Sequence, residues 1–362
     1  MARVLWLSVE TPDRNGQGGQ RRQFHQIREL AALGHDLTVL TPAGPQDHST
    51  LHGIAHVERR RIAVLGRALR FLVMRIRKHV ATGGWDAIIV SHDDSLFLLP
   101  DTQPTAPVLV DLHNVMSSWH RRRGLDDLAA DFHLREVDAL SRADAVSTCS
   151  AEESRRLLAA HPELSIPAIV APLGVDPEEW PEQDWNREEP LIALFGSWGW
   201  HPNGAGLDWF RDEVWPSVRS RVPNARALVA GSGVDDSEAW PAGLEYVGRV
   251  PSVAEFTASA TVVAVPVFDG VGAAVKFAES LASGAAVIAT PDGANAFDDA
   301  KSKVSSDAGE WADWIVERLT DRANATVPDP ARADALSRLT WHASVGPLDE
   351  WIRAQKQRRD PA

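Results

Sequence analysis

Residues 262–290 read VVAVPVFDGVGAAVKFAESLASGAAVIAT and contain two short apolar runs, Val262–Pro266 and Ala286–Thr290. Neither run alternates apolar with polar residues, which is typical of strands buried on both faces of a parallel sheet. A glycine loop and then a helical pattern lie between the two runs. A strand, a helix and a second strand in this order predict a βαβ unit.

The same alternation of short apolar runs and helical patterns extends along the whole chain. One predicted helix, Gln20–Leu33, ends before Gly34, because glycine commonly follows the last turn of a helix. The predicted strands are Val4–Val9, Leu37–Thr41, Ala87–Ser91, Val108–Leu112, Ala145–Thr148, Ala168–Pro172, Leu191–Phe195, Ala227–Ala230, Leu244–Val247, Val262–Pro266 and Ala286–Thr290. Repeated βαβ units predict an α/β protein with Rossmann-like, doubly wound parallel sheets.

The predicted strands form two sets, separated by the segment PLGVDPEEWPEQDWNREEP at residues 172–190. Its proline, its acid and its lack of an apolar period are typical of a linker. We predict an N-terminal domain over 1–172, a linker over 173–190 and a C-terminal domain over 191–335. A final helix within 336–362 is expected to pack back on the N-terminal domain. Ligands of such sheets bind at the carboxyl ends of the strands, so two facing domains predict a cleft.

The composition excludes several classes of protein. Lys and Arg number 37 and Asp and Glu 50, a net charge of −13, whereas a general nucleic-acid binder carries a dominant basic surface. Cys149 is the single cysteine, which excludes an intramolecular disulfide and a zinc site built from cysteines. No signal-peptide pattern is found, and no apolar run approaches the roughly 18 residues of a transmembrane helix. A cytoplasmic protein is the expectation.

The first predicted strand is followed by a glycine loop, Asn15-Gly-Gln-Gly-Gly19, and then by a helix. Glycines let the backbone approach a ligand closely, and the helix N-terminus offers N–H groups to an anion such as a phosphate. The spacing is neither that of a dinucleotide-binding fingerprint nor that of a P-loop. A flexible loop without a ligand is the alternative interpretation.

A second glycine loop begins after Val262–Pro266, and the helix after it carries Lys276 and Glu279 on one face. A lysine near a helix start can meet a diphosphate, and a glutamate one turn later can accept hydrogen bonds from a ribose diol. The alternative is a surface ion pair. The place of the loop, after a buried strand, favours the ligand interpretation.

An ordered set of motifs resembles the retaining glycosyltransferases of family 4, which have the GT-B fold. The matches are spread over roughly residues 3–300, in the order that the family shows. They are Gly16–Gly19 with LAALGHDLTVLTP at 30–42, Asp111-Leu-His-Asn, Pro172-Leu-Gly-Val-Asp, Phe195-Gly-Ser-Trp-Gly-Trp-His-Pro-Asn and Gly270–Gly293. The resemblance implies transfer of a sugar from a nucleotide-sugar donor to an acceptor hydroxyl, with retention and with neither a metal nor another cofactor. It places the acceptor on the N-terminal domain and the donor on the C-terminal domain.

The resemblance also implies roles for individual residues. Glu279 matches the glutamate that holds the ribose hydroxyls, Lys276 the lysine that faces the diphosphate, and His113 the histidine near the hydroxyls of the transferred sugar. These three are the predicted catalytic residues. The predicted donor-binding residues are Gly18, Gly19, Gly196, Ser197, Asn203, Gly270, Val271, Gly272 and Ala273.

Two departures from the family pattern indicate a variant subgroup. Many members carry a second glutamate eight residues before the ribose-binding one, where this chain has Val271. Many also carry Arg and Lys in the loop after Phe195-Gly196, where this chain reads Ser-Trp-Gly-Trp-His-Pro-Asn. The sequence therefore leaves three functions open: a hexosyltransferase-like retaining enzyme, a sugar-nucleotide epimerase-like enzyme, and a non-catalytic or regulatory GT-B module.

The acceptor could be a saccharide, a lipid-linked saccharide or a natural product. His92, Asn114, Trp119 and Arg123 are the predicted acceptor-side residues. Residues 64–80 form a basic amphipathic pattern that predicts either a helix packed on the N-terminal sheet or peripheral contact with an anionic membrane, at its inner face.

Overall fold

A computed structural model describes residues 1–42, 51, 53–60, 67–181, 189–234, 239–270, 275–295, 302–321 and 327–359, with the backbone alone for 42, 57–60 and 67–72. These residues form two compact units. The first contains Met1–Pro172 and Trp341–Ala362, and the second contains Leu173–Thr340.

The described part of the first unit contains a parallel sheet of seven strands in the order β3-β2-β1-β4-β5-β6-β7. The strands are β1 Arg3–Leu7, β2 Asp36–Pro42, β3 His56–Arg60, β4 Ala87–Ser91, β5 Val108–Leu112, β6 Ala145–Thr148 and β7 Ala168–Val170. The helices between them are α1 Gly18–Ala32, α2 Arg67–Thr82, α3 Met116–Arg122, α4 Asp126–Ser141 and α5 Ala151–Ala160.

The second unit contains, in its described part, a parallel sheet of six strands in the order β10-β9-β8-β11-β12-β13. The strands are β8 Leu191–Ser197, β9 Arg226–Ser232, β10 Leu244–Gly248, β11 Val262–Val265, β12 Ala286–Ala289 and β13 Lys303–Val304. The helices are α6 His201–Trp209, α7 Trp215–Arg221, α8 Val253–Thr257, α9 Val275–Ala282, α10 Pro291–Ala294, α11 Ala308–Thr320 and α12 Ala331–Arg338. The last helix, α13 Trp341–Arg359, is part of the first unit.

Side chains of the strands alternate between two apolar layers in each unit. In β1, Leu5 packs with Ile76 of α2, whereas Trp6 on the opposite face packs with Ile27 of α1 and Ile352 of α13. The second unit repeats this arrangement, with α9 and α12 on one face of its sheet and α7 and α11 on the other. Helices on both faces explain why the strands read as continuous apolar runs.

The predicted α/β class, with two Rossmann-like units built on parallel sheets, is confirmed, but several element boundaries differ from the prediction. Strand β1 ends at Leu7 rather than Val9, because Ser8 Oγ bonds the backbone of Glu10 and turns the chain. The polar edge strand β3 and the two-residue β13 were not predicted. Gly34 has a φ of +89° and its N–H bonds Ala31 O, as expected for a glycine after a helix end.

The segment predicted as a linker is packed over its described part, residues 173–181. Val175 N donates to Leu339 O at 2.7 Å, and Trp180 is buried. Arg332 Nη2 donates to Trp180 O at 2.8 Å. Residues 173–181 therefore belong to the second unit, because buried apolar side chains and backbone bonds fix them there. Residues 182–188 lie outside the described residues.

The basic amphipathic pattern predicted over 64–80 falls mainly on α2, and residues 64–66 lie outside the described part of the chain. Ile76 and Val80 are buried in the first unit, and Arg77 pairs with Asp101 at 2.8 Å. Met74 is exposed. The apolar face of α2, represented by Ile76 and Val80, thus packs on the sheet. Of the described helices, none combines the length and the hydropathy needed to cross a membrane.

Candidate functional site

The loop after β1 leads to the N-terminus of α1, which begins at Gly18. Gly19 is flanked by two polar side chains: a Cβ placed there would lie 3.0 Å from Glu10 Oε2 and 3.0 Å from His113 Nδ1. Glycine therefore lets a carboxylate and an imidazole approach the first turn of the helix. This turn also carries the positive end of the helix dipole, which favours a polar or anionic ligand.

His113 follows β5 and is held through one ring nitrogen. Its Nε2 lies 3.3 Å from Asp111 Oδ2 and 3.2 Å from Ser91 Oγ. Burial lowers the pKa of His113, and the opposing effect of Asp111 does not restore it, so the neutral imidazole is favoured. With the Nε2 proton directed to the Asp111 carboxylate, Nδ1 becomes the acceptor. His113 can therefore accept a hydrogen bond on the side that faces Gly19.

Asp111 is fully buried, and Arg22 balances its charge. The guanidinium donates from Nε to Oδ2 at 3.0 Å and from Nη2 to Oδ1 at 2.8 Å, and its Nη1 donates to Ala171 O at 2.6 Å. Ser147 Oγ donates to Oδ1 at 2.6 Å. Burial alone would raise the pKa of Asp111, but Arg22 and then His113 hold it well below its usual range. This bonded pair fixes the carboxylate that orients His113.

Further acidic groups and a second histidine lie near His113. Burial, and next the charge of Asp94, raises the pKa of Glu10, although His92 acts in the opposite direction. His92 Nδ1 contacts Asp93 Oδ1 at 2.5 Å. Burial disfavours the charged ring, yet this bond and the nearby carboxylates raise the pKa of His92.

His92 also has an unusual backbone conformation, with a φ of +67°. This left-handed region is uncommon for a residue other than glycine, and strained residues cluster at functional sites. The ring of His92 packs edge-on against the ring of His113 at 5.2 Å between centroids. The structure therefore brings together His92 and His113, which the sequence analysis placed on the acceptor side and near the transferred sugar.

The remaining predicted acceptor-side residues lie in or next to α3. Trp119 is buried, and the Arg123 guanidinium stacks over its ring at 4.7 Å. Asn114 follows His113 directly and is half-buried. Trp119 and Arg123 thus contact each other, but the buried indole presents little surface to an acceptor.

In the second unit, Lys276 lies in the first turn of α9 and is held by Asn203. Lys276 Nζ donates to Asn203 Oδ1 at 2.6 Å, and Asn203 Nδ2 donates to Ser197 O at 2.9 Å. A Cβ at Gly196 would lie 3.6 Å from the same Nζ. The Trp198 ring is 5.4 Å from Nζ. The predicted catalytic residue Lys276 and the predicted donor-binding residues Gly196 and Asn203 therefore meet at this ammonium group.

Burial lowers the pKa of Lys276 from 10.5 to about 7. The two contacts just described are an amide oxygen and an aromatic ring, neither of which carries the full charge of a carboxylate. A bound diphosphate would stabilise the ammonium form as a point charge. Lys276 is thus a basic group that an anionic ligand would hold in its charged form.

Glu279 lies one turn after Lys276 on α9 and is buried, with 5% of its surface exposed. Gly270, at the start of the preceding loop, donates from its backbone N to Asp292 Oδ2 at 3.2 Å. Asp269 has a φ of +58°, so the chain turns sharply there. Three predicted donor-binding residues lie outside the described residues: Val271, Gly272 and Ala273.

Several residues that build the site around His113 were not predicted from the sequence. Asp111 stands two residues before His113 in the quoted motif, a spacing that puts both on one face of an extended chain, so this pair could have been found. Glu10 and Ser91 carry no such signal. Arg22 has none either, because a charged residue in the first turns of a helix is normally expected to face solvent.

Two family models match successive parts of the chain. Residues 16–179 match the family described as Glycosyltransferase Family 4. Residues 189–321 match the family described as Glycosyl transferases group 1. No significant match to a curated protein was found.

Solved structures with the same fold cover nearly the whole chain. Sucrose-phosphate synthase from Thermosynechococcus elongatus superposes with a TM-score of 0.73 and 17% identity, over 98% of this chain and 99% of that one. HepE of Anabaena, in complex with UDP and glucose, gives 0.69 and 14%, over 98% and 100%. An α,α-trehalose-phosphate synthase from Burkholderia vietnamiensis gives 0.65 and 10%, over 99% and 98%. The chain therefore matches glycosyltransferase family models over two successive segments, and it has the fold of GT-B glycosyltransferases.

Proposed function

We propose that this protein transfers a hexosyl group from a nucleoside diphosphate sugar to a hydroxyl of an acceptor. The observation that carries the proposal is the position of Lys276 in the first turn of α9, with Glu279 one turn later. The ammonium group of Lys276 is held by Asn203 at 2.6 Å. This arrangement offers a cation and a helix N-terminus to a diphosphate, and a carboxylate to a ribose. The two glycosyltransferase family matches support it.

Transfer requires stabilisation of the negative charge that develops on the leaving diphosphate. Lys276 would supply a positive charge at a partly buried position, where it acts more strongly than in water. Backbone N–H groups at the start of α9 add to the same effect. Glu279 would hold the nucleoside by accepting hydrogen bonds from its ribose hydroxyls.

On the first unit, we assign His113 to hold a sugar hydroxyl through Nδ1. Its orientation is set by Asp111 and thereby by Arg22. Glu10, whose pKa is raised by burial, also lies next to Gly19 and would contact an acceptor hydroxyl. His92 contributes to the same acceptor surface.

Retention of configuration and independence from a metal are carried over from the resemblance to family 4. The anomeric configuration of the product, measured by NMR, tests retention. An unchanged rate of transfer in the presence of a chelator supports independence from a metal. Peripheral membrane contact through residues 64–80 and a cytoplasmic location stay predictions. The epimerase-like enzyme and the non-catalytic module gain no support from the family matches.

The test is release of a nucleoside diphosphate from UDP-, GDP-, ADP- and dTDP-glucose by the full chain, with sugar acceptors present and absent. UDP-glucose comes first, because HepE of Anabaena, which shares the fold, was solved in complex with it. Lys276→Met and Glu279→Gln are expected to lose the activity. Lys303→Met is the matched control, since Lys303 pairs with Glu310 at 2.9 Å at the surface of the same unit. Equal activity in all four proteins would exclude the assigned donor site.

A further inference from the structure

A second polar cluster lies in the first unit, on helices that the glycosyl-transfer residues do not use. It consists of His133 and Glu136 on α4 and His161 directly after α5. One ligand atom from each of the three side chains lies within 4.8 Å of the other two. Among the described residues, this is the only such group of three His, Cys, Asp or Glu side chains.

The spacing and burial of the three side chains restrict their mobility. His133 and Glu136 are three residues apart on α4, so they share one face of the helix. His161 is fully buried and Glu136 is 2% exposed, whereas His133 is half-buried. His161 Nε2 lies 2.9 Å from Glu136 Oε2. The group therefore has two fixed members and one that borders the surface.

Glu136 is held in place by the start of α3. The backbone N of Ser117 donates to Glu136 Oε1 at 2.9 Å, and Ser117 Oγ donates to Oε2 at 2.5 Å. Hydrogen bonds of this kind orient the carboxylate ligands of metal ions. The carboxylate is thus preorganised before anything binds to it.

Each of the two histidines has one ring nitrogen without a hydrogen bond within the described part of the chain. Nδ1 of His133 and Nδ1 of His161 are both buried and make no hydrogen bond there. A carboxylate oxygen of the exposed side chain of Glu163 lies 3.6 Å from His161 Nδ1. The two imidazole rings are parallel, with centroids 4.6 Å apart.

We propose that His133, Glu136 and His161 bind a divalent transition-metal ion of the Zn²⁺ class. Two imidazoles and one carboxylate are a common donor set for zinc, and imidazole donors do not suit Mg²⁺ or Ca²⁺. A water molecule would complete four-coordination on the side of His133, which borders solvent. This site is separate from the residues assigned to glycosyl transfer.

The rearrangement that binding requires is small. Ligand atoms about 2.0–2.1 Å from a tetrahedral ion are about 3.3 Å from each other. Glu136 Oε2 and His161 Nε2 are now 2.9 Å apart, so they would separate by a few tenths of an ångström as the ion replaces the shared proton. His133 must turn out of its parallel stacking, and its half-buried position allows this.

A bound ion would join α4 to the end of α5 and, through Ser117, to the start of α3. That start lies only a few residues after His113, so the ion would stabilise the support of the His113 segment. The expected role is structural.

The test uses the full chain without an affinity tag, titrated with Zn²⁺ by calorimetry and with Co²⁺ by visible absorption. One ion per chain and the intense absorption of four-coordinate Co²⁺ are expected, together with a higher melting temperature. His133→Ala should weaken binding about tenfold or more while keeping the bonds among Ser117, Glu136 and His161. Ser117→Ala should weaken it by about 10–100-fold.

His342→Ala is the matched control, because the side chain of His342 is 68% exposed and pairs with a glutamate elsewhere on the first unit. Its Zn²⁺ affinity should equal that of the wild type. The proposal is overturned if the wild type binds no Zn²⁺, or if His133→Ala binds as tightly as the wild type. Because the readouts are binding and thermal stability, failure here leaves the proposed glycosyl transfer unaffected.

Discussion

The affinity of this protein for a nucleoside diphosphate should fall as the pH rises above neutral. Burial lowers the pKa of Lys276 to about 7, so the ammonium form is predominant below that pH and is lost above it. Because the diphosphate is attracted by the charged form, binding is strongest at the acid end. If binding required the ionised form of a carboxylate instead, the affinity would rise with pH.

The size of the effect follows from the fraction of protein with a charged Lys276. At about pH 7 this fraction is about one half, and at about pH 9 it is about one hundredth. If only the charged form binds, the apparent Kd rises about 50-fold over this range, which corresponds to about 2.3 kcal/mol. Binding itself raises the pKa of Lys276, so the decline continues until the pKa of the complex is reached.

The assay is calorimetric titration of the full chain with UDP, and with GDP, ADP and dTDP in parallel, from about pH 7 to about pH 9. This window lies above the second pKa of a phosphate, about 6, so the ligand keeps its charge. Lys276→Arg is the matched variant, because a guanidinium stays protonated throughout the range. Its affinity should be independent of pH.

Two outcomes would refute this reasoning. One is a wild-type affinity that does not change between about pH 7 and about pH 9. The other is a decline of the same size in Lys276→Arg, which would assign the titration to another group. Lys276→Met should bind weakly at every pH.

Three further perturbations test the account. Gly19→Ala places a methyl group 3.0 Å from both Glu10 and His113, so the rate of transfer should fall about tenfold or more with an unchanged melting temperature. The control Gly346→Ala has open space around its Cβ and should keep full activity. Asp111→Asn leaves the buried Arg22 without its counter-charge, and urea denaturation should show a loss of about 3–5 kcal/mol; a loss below about 1 kcal/mol would contradict the assigned pairing. Lys276→Met should raise the melting temperature of the ligand-free protein at about pH 7. Removal of a poorly solvated cation stabilises the folded state by more than the loss of the hydrogen bond to Asn203 destabilises it. A lower melting temperature would argue against the burial of this charge.

Much of the fold was predictable because the hydrophobic pattern reflects a sheet covered on both faces. The βαβ alternation identified eleven of the strands to within a few residues. The sequence HVERR of β3 did not read as a strand, because it lies at a sheet edge where polar residues are tolerated. The segment 173–181 resembled a linker by its proline and acid, yet Trp180 is buried within it. Composition indicates local flexibility but does not show what a single tryptophan packs against.

The candidate site was predictable where a residue stands next to a glycine loop or a strand end. Lys276, Glu279 and His113 were predicted from such positions together with the family resemblance, and their roles stay predictions. The residues that orient them are harder to find, since the bond of Lys276 to Asn203 joins positions 73 residues apart, and that of Arg22 to Asp111 joins positions 89 apart. Such partners depend on the topology of the sheet. The cluster of His133, Glu136 and His161 was equally hard to find, because its third member follows a different helix.

The central claim is that Lys276 and Glu279 hold the donor of a sugar-transfer reaction. It is tested most directly by measuring the nucleoside diphosphate released from UDP-glucose and the other three nucleotide sugars, in the wild type, Lys276→Met, Glu279→Gln and the control Lys303→Met. The account predicts release from one donor by the wild type and the control, and none above background by the other two variants. Release that persists in Lys276→Met and Glu279→Gln would contradict it.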